Sequence, residues 1–178
     1  NGVDIVNADA ATLTLTNAQV GQLISVVVSY TDGQGTAESV SSAPTAEVVN
    51  VNDAPTGAVT ISGDAVEGAT LSADVSTLAD ADGLGALTYQ WRANGAEIAG
   101  ATDASFVLTG AQIGTEISVV VRYTDAGGAA EVVTSAATDA VANVNDAPTG
   151  NVTITGSSVI GSTLTADVSA ISDEDGLG

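Results

Sequence analysis

The chain has 178 residues and a formal charge of −20, from 22 acids against two arginines, and it contains no Cys, His, Lys or Met. That composition excludes disulfides, thiol nucleophiles, imidazole bases and zinc sites of the usual kind. It also excludes nucleic acid as a partner, since phosphate contacts need Lys and Arg. Purely apolar runs are only a few residues long, so no helix is expected to span a membrane, and any core has to be built from Val, Ile, Leu and Ala around one Trp, three Tyr and one Phe.

In chain order, the first feature is a repeat. "VNDAPTG" stands at 51–57 and again at 144–150, an offset of 93 residues. The offset holds without a gap: "NGVDI" at 1–5 answers "NGAEI" at 94–98, "ISVVVSYTD" at 24–32 answers "ISVVVRYTD" at 117–125, and "LADADGLG" at 78–85 answers "ISDEDGLG" at 171–178. Of the 85 positions that can be compared, 51 are identical. The reading is a back part of one unit over 1–51, one complete unit over 52–144 and a front part of the next over 145–178. With no initiator Met and no signal peptide, the chain reads as a window of something larger.

Within the complete unit, apolar and polar residues alternate. Ile117, Val119, Val121 and Tyr123 face one way, and Ser118, Val120 and Arg122 the other; Leu71, Ala73 and Val75 alternate with Ser72, Asp74 and Ser76. Period two, β-branched enrichment and Gly, Asn and Asp punctuation predict strands near 57–62, 69–76, 86–93, 96–99, 104–109, 115–124 and 130–141. Asn94-Gly95 is a hairpin turn signal. Seven short strands in about 93 residues predict an all-β fold, a two-sheet sandwich. Strand parity then gathers the linker at 50–57 and the loops at 77–85 and 125–129 at one end, and the loops at 63–68 and 110–114 at the other, so that units stack end to end.

The acids concentrate at those ends. One end carries Asn50, Asn52 and Asp53 from the linker, Asp80 and Asp82 from one loop and Asp125 from another. All are oxygen donors of the kind a hard cation such as Ca2+ prefers. The same residues also fit a solvated surface, and Asx residues favour turns for backbone reasons alone. Other chemistry is poorly supported. "DADG" lacks the twelfth-position Glu of an EF-hand, where Trp91 stands. Asp80 and Asp82 share one loop without a hydrophobic shell to separate their pKa values as a glycosidase pair requires. "DGQGT" and "DAGGA" lack the Lys of a phosphate loop. Trp91 is expected in the core rather than as a sugar platform, and Arg92 and Arg122 as outward residues paired with acids. No enzyme activity and no small-molecule substrate are expected.

Two resemblances bear on these residues. "LTYQWRANG" followed by "AQIGTEISVVVRY" resembles a bacterial immunoglobulin-like domain, with Trp91 where that family keeps the core Trp of its third strand. "NVNDAP" at 50–55 and "DADGLGALTY" at 80–89 resemble the linker and the Asp-x-Asp loop of cadherin repeats. By the cadherin resemblance Asn50, Asn52, Asp53, Asp80 and Asp82 would be calcium ligands at one junction, and Asn143, Asn145, Asp146, Asp173 and Asp175 at the next. Glu67 resembles the cadherin base Glu, which Ile160 replaces in the following unit. "LTGAQ" stands where cadherins carry Asp-Arg-Glu, which reduces the implied count from three calciums per junction to one or two. A tandem repeat of this type is similar to the extenders of giant repeats-in-toxin adhesins, exported by type I secretion in Gram-negative bacteria. The resemblance implies an extracellular, cell-surface rod whose partners are neighbouring repeats of the same protein. The other expectation is a self-assembling filament or surface layer in which neighbouring chains complete the split units.

Overall fold

A computed structural model of the chain describes residues 2–178. Its strands, in chain order, are β1 (Val27–Thr31), β2 (Ala37–Ser41), β3 (Thr60–Ser62), β4 (Thr70–Asp74), β5 (Thr88–Ala93), β6 (Ala96–Glu97), β7 (Ser105–Val107), β8 (Ile117–Thr124), β9 (Ala130–Thr134), β10 (Thr153–Gly156) and β11 (Leu164–Asp167). Single 3₁₀ turns at Asn17–Gln19 and Gly110–Gln112 are the helical elements among the described residues, so the chain is all-β. Contacts divide it into two compact units. One comprises the residues up to Gly57 with Leu78–Leu87 and Arg122–Val132; the other comprises Ala58–Thr77, Thr88–Val121 and Val133–Gly178.

All seven strands expected in the complete repeat form, as β3 to β9, each shorter than the alternation suggested. The largest difference is the last, expected over 130–141 but ending as a ladder strand at Thr134. The reason is local chemistry. Ser135 and Thr138 turn their hydroxyls onto the neighbouring strand, where Val119 N–H donates to Ser135 Oγ at 3.0 Å and Ile117 N–H to Thr138 Oγ1 at 3.1 Å. Side-chain oxygens thus take amide bonds that strand carbonyls would otherwise accept. The earlier repeat does the same, with Val26 N–H on Ser42 Oγ and Ile24 N–H on Thr45 Oγ1.

In the second unit, β3-β4-β7 form a three-stranded antiparallel sheet, and β5 and β8 are neighbours in the order β6-β5-β8-β9. Trp91 of β5 stacks on Phe106 of β7 with ring centroids 5.9 Å apart, so the faces of these two sheets meet there. Trp91 is fully buried and its indole N–H donates to Asp103 O at 2.9 Å, which removes the cost of enclosing a polar tip. Leu71, Leu108, Ile117, Val119 and Val121 are also fully buried. Each such side chain contributes roughly 1.5–3 kcal/mol of transfer free energy. Val120, expected to face outward, is buried as well. The β5–β6 hairpin turns at Asn94-Gly95, both at positive φ (47° and 81°), the conformation a two-residue type I′ turn demands. Its cross-strand pair Arg92–Glu97 is an ion pair at 3.1 Å. Exposed pairs of that sort contribute little.

In the first unit, β1 and β2 form a two-stranded sheet with exposed faces. Val27 and Val28 are 61% and 55% exposed, whereas their equivalents Val120 and Val121 are 1% and 0% exposed. The same "ISVVV" string is therefore buried where β5 lies beside it and open where β2 is its sole partner strand among the described residues. This unit also carries the linker at 50–57 and the loops at 78–85 and 125–129.

Candidate metal centre

The first linker is held by a short antiparallel bridge. Thr56 N–H donates to Ala79 O at 2.7 Å and Ala79 N–H to Thr56 O at 3.0 Å. That fixes Asp53 over the loop that follows, where its N–H donates to Asp82 Oδ2 at 2.7 Å. The loop "DADG" is an Asx turn: Asp82 N–H donates to Asp80 Oδ1 at 2.8 Å, and Gly83 N–H to Asp80 O at 3.1 Å. The other Asp80 oxygen accepts from the Tyr123 hydroxyl at 2.6 Å. Burial first, and then this bond to Asp80, push the Tyr123 phenol well above its ordinary value, so the hydroxyl stays a donor.

The third strand-end residue is Asp125. Its Oδ1 accepts from Ala129 N–H at 2.8 Å, and Ala126 N–H donates to Asp82 O at 3.2 Å, which ties the two loops together. One carboxylate oxygen from each of Asp80, Asp82 and Asp125 lies within 4.8 Å of the others. Asp125 is only 6% exposed, and its Oδ2 is buried without a hydrogen-bond partner. A buried, partnerless carboxylate oxygen beside two further carboxylates calls for a positive partner. At an effective dielectric constant near 20, a pair of charges at this spacing repels by roughly 3.5 kcal/mol. A divalent cation would turn that repulsion into attraction. The donors are all oxygen, and this cluster could hold a metal ion.

The remaining residues expected here fall around this trio. Asp53 reaches it through Asp82. Asn50 packs on Gly127, where a Cβ would lie 2.4 Å from Asn50 Nδ2 and 3.3 Å from Asp125 Oδ1. Asn52 donates to Glu131 Oε1 at 2.9 Å. Asn17, which the sequence reading did not single out, donates from Nδ2 to Asp53 Oδ2 at 3.2 Å, Ala81 O at 3.1 Å and Asp82 Oδ1 at 3.1 Å. A usable signal existed: "LTNAQ" places Asn17 where "LTGAQ" has Gly110.

The second linker rebuilds the same local frame. Thr149 and Ser172 exchange hydrogen bonds at 2.7 and 3.0 Å, Asp146 N–H donates to Asp175 Oδ2 at 2.8 Å, and Asp175 N–H to Asp173 Oδ1 at 2.9 Å. Asn143 Nδ2 donates to Asp175 Oδ1 at 2.7 Å. This bond, with the Asp146 N–H, holds Asp175 below the usual carboxylate range. Asn145 is turned onto Asp146 O at 2.9 Å. The acids that gather are Glu67, Asp146 and Glu174, one oxygen from each lying within 4.8 Å of the others. Glu67 Oε2 also accepts from Val144 N–H at 3.3 Å. Glu174, absent from the expected set, occupies the position of Ala81. Asp173 and Asp175 serve the turn and stay outside that trio. No family model, no curated protein and no solved structure matches this chain.

Proposed function

We propose that the chain is a non-catalytic extender segment of a large extracellular bacterial adhesin, located at the cell surface. Its immunoglobulin-like, cadherin-like β-sandwiches follow the 93-residue period, with repeat boundaries near residues 51 and 144, and stack end to end. Ca2+ bound at the linkers stiffens the rod, and the neighbouring repeats are its partners. The observation that carries this reading is the buried, partnerless Asp125 oxygen in a carboxylate trio beside a linker that recurs after 93 residues. The gap-free repeat and the absence of Cys suit a product exported unfolded, and low cytosolic against high external Ca2+ would time its folding. The net charge of −20 keeps such chains apart.

Thermal unfolding of the chain in calcium and in chelator tests the cation. At free calcium of a hundred times Kd, one site adds about 2.7 kcal/mol, several degrees in melting temperature for a domain of this size. No shift would leave only a solvated acidic surface. Small-angle scattering of tandem units tests the rod, and a flexible chain with and without calcium would count against it.

A second reading, a self-assembling filament or surface layer completed by strands from neighbouring chains, is favoured by one observation. The β10–β11 hairpin exposes Ile154 at 71% and Leu164 at 55%, and β1 is similarly open. Ordered polymers with strand exchange, seen by electron microscopy, would reverse the ranking.

A further inference from the structure

We propose that Asn17 is a ligand of the cation site at the first linker, and that its carboxamide turns over when the ion binds. The proposal rests on the calcium reading above and names a residue outside the ligand set given by the cadherin resemblance, in the turn whose repeat, "LTGAQ", stands where cadherins carry Asp-Arg-Glu. Asn17 Nδ2 faces three acceptors at 3.1–3.2 Å: Asp53 Oδ2, Asp82 Oδ1 and the carbonyl of Ala81. An amide NH₂ has two hydrogens, so it cannot satisfy all three. Two of the three are carboxylates, and Asp82 belongs to the trio with Asp80 and Asp125. The independent sign of a cation site is Asp125, 6% exposed with Oδ2 buried and partnerless. The Asn17 amino group thus stands where the local field asks for positive charge, and as a neutral donor it meets that demand only in part.

A hard cation reverses what is wanted of this side chain. Carboxylate and carbonyl oxygens gather around Ca2+ at roughly 2.3–2.6 Å. A donor NH₂ pointing into that ring is repelled. Oδ1 and Nδ2 have nearly the same size, so a half-turn of the carboxamide exchanges donor for acceptor without moving the backbone. Asn17 is well placed to do this because its turn is fixed independently. Thr16 N–H and Thr16 Oγ1 both donate to Gln19 Oε1 at 3.0 Å. With Oδ1 inward, the oxygens of Asn17, Asp53, Ala81, Asp82, Asp80 and Asp125 supply a donor set of the size Ca2+ takes. In the repeat reading the Asn17 turn belongs to the preceding unit and the other donors to the following one, so this ligand is what lets the ion fasten one repeat to the next. The equivalent residue at the second linker is Gly110, which offers no side chain.

The test is a calcium titration of the full ¹⁵N-labelled chain, followed at the Asp53 backbone amide and the Asn17 side-chain NH₂. In wild type the Asp53 amide shifts on binding, and the Asn17 NH₂ leaves its hydrogen-bonded position and exchanges faster with solvent. Asn17→Gly, the residue tolerated in the equivalent turn, weakens calcium at the Asp53 amide by about tenfold, and Asn17→Asp restores or exceeds wild-type affinity. If Asn17→Gly binds within a factor of two of wild type while Asp125→Asn weakens binding about tenfold or more, the cation site stands and the role of Asn17 falls. If the wild-type Asp53 amide does not respond to millimolar calcium, the cation reading itself fails, and this proposal with it.

Discussion

The two linkers share one sequence, "VNDAPTG", and the two loops that follow share "D-x-DGLG", yet they assemble different sites. What is common is everything the local chain can build alone. The bridge between Thr56 and Ala79 recurs between Thr149 and Ser172 with the same 2.7 and 3.0 Å bonds. The backbone bond onto the second Asp of the loop is 2.7 Å in one and 2.8 Å in the other, and the Asx turns match to within 0.1 Å. What differs comes from far along the chain. The first site takes Asp125 and Tyr123 from the end of β8 and Asn17 from a remote turn; the second takes Glu67 from before β4 and the locally substituted Glu174. The linker and its loop fix the frame of such a site, and residues brought from elsewhere in the chain, or substituted within the loop, complete the acid cluster.

The largest expected effect falls on a glycine of the first frame. A Cβ on Gly85 would lie 1.9 Å from the carbonyl oxygen of Thr124, a backbone atom that cannot step aside, whereas a Cβ on Gly33 meets nothing within 4 Å. Gly85→Ala is therefore expected to destabilise by about 3 kcal/mol, the upper part of the range for forced overpacking. Gly33→Ala should leave the denaturant midpoint where it is. Equal midpoints for the two variants would show that docking the 77–85 loop on the end of β8 is no part of the first frame.

A smaller effect separates the two acid clusters. Asp125→Asn keeps the Oδ1 that accepts from Ala129 N–H but removes one charge from the first trio. Calcium affinity at the Asp53 amide should fall by about tenfold or more, while in chelator the variant should be at least as stable as wild type, since a like-charge contact is relieved. Glu67→Gln should do the converse, weakening any response at Asp146 and leaving Asp53 untouched. Isothermal titration with amide shifts at the two linkers reads both. Loss of both responses in either variant would mean that the two clusters do not act separately.

How far the sequence could reach follows the same division. Alternation marked β8 and the paired Asn94-Gly95 marked its hairpin because both depend on near neighbours and on steric rules. The end of β9 was overestimated because Ser135 and Thr138 read as ordinary strand residues until their hydroxyls are seen on the amides of β8. Asp80, Asp82 and Asp125 could be grouped by assigning loops to ends. Asn50 lies against Gly127 beside Asp125 and Asn52 donates to Glu131, contacts that no spacing encodes. Asn17 and Glu174 were visible as departures from the repeat, at Gly110 and Ala81, and each joins an acid that the repeat keeps, Asp82 in the first case and Asp146 in the second.

The smallest effect tests the shared frame away from either cluster. Asp74 and Asp167 are repeat equivalents at the ends of β4 and β11, and both carboxyls are held below their ordinary value by the serine two residues on. For Asp74 the backbone N–H of Ser76 is the larger cause and the Ser76 side chain the second; for Asp167 the order is reversed, with the Ser169 side chain first. A depressed carboxyl stabilises the fold above its unfolded-state value, and that contribution is lost as pH falls through the folded-state value. Both carboxyls are fully exposed, so the effect on unfolding is small and the titration itself is the better readout. Ser76→Ala removes only the lesser donor at the first position, whereas Ser169→Ala removes the greater one at the second. Carboxyl ¹³C shifts against pH should therefore show Asp167 moving back toward its ordinary value more than Asp74 does. Equal movement would mean that one local geometry serves both copies, and that the two frames are alike in their side-chain bonds as well as in their backbone.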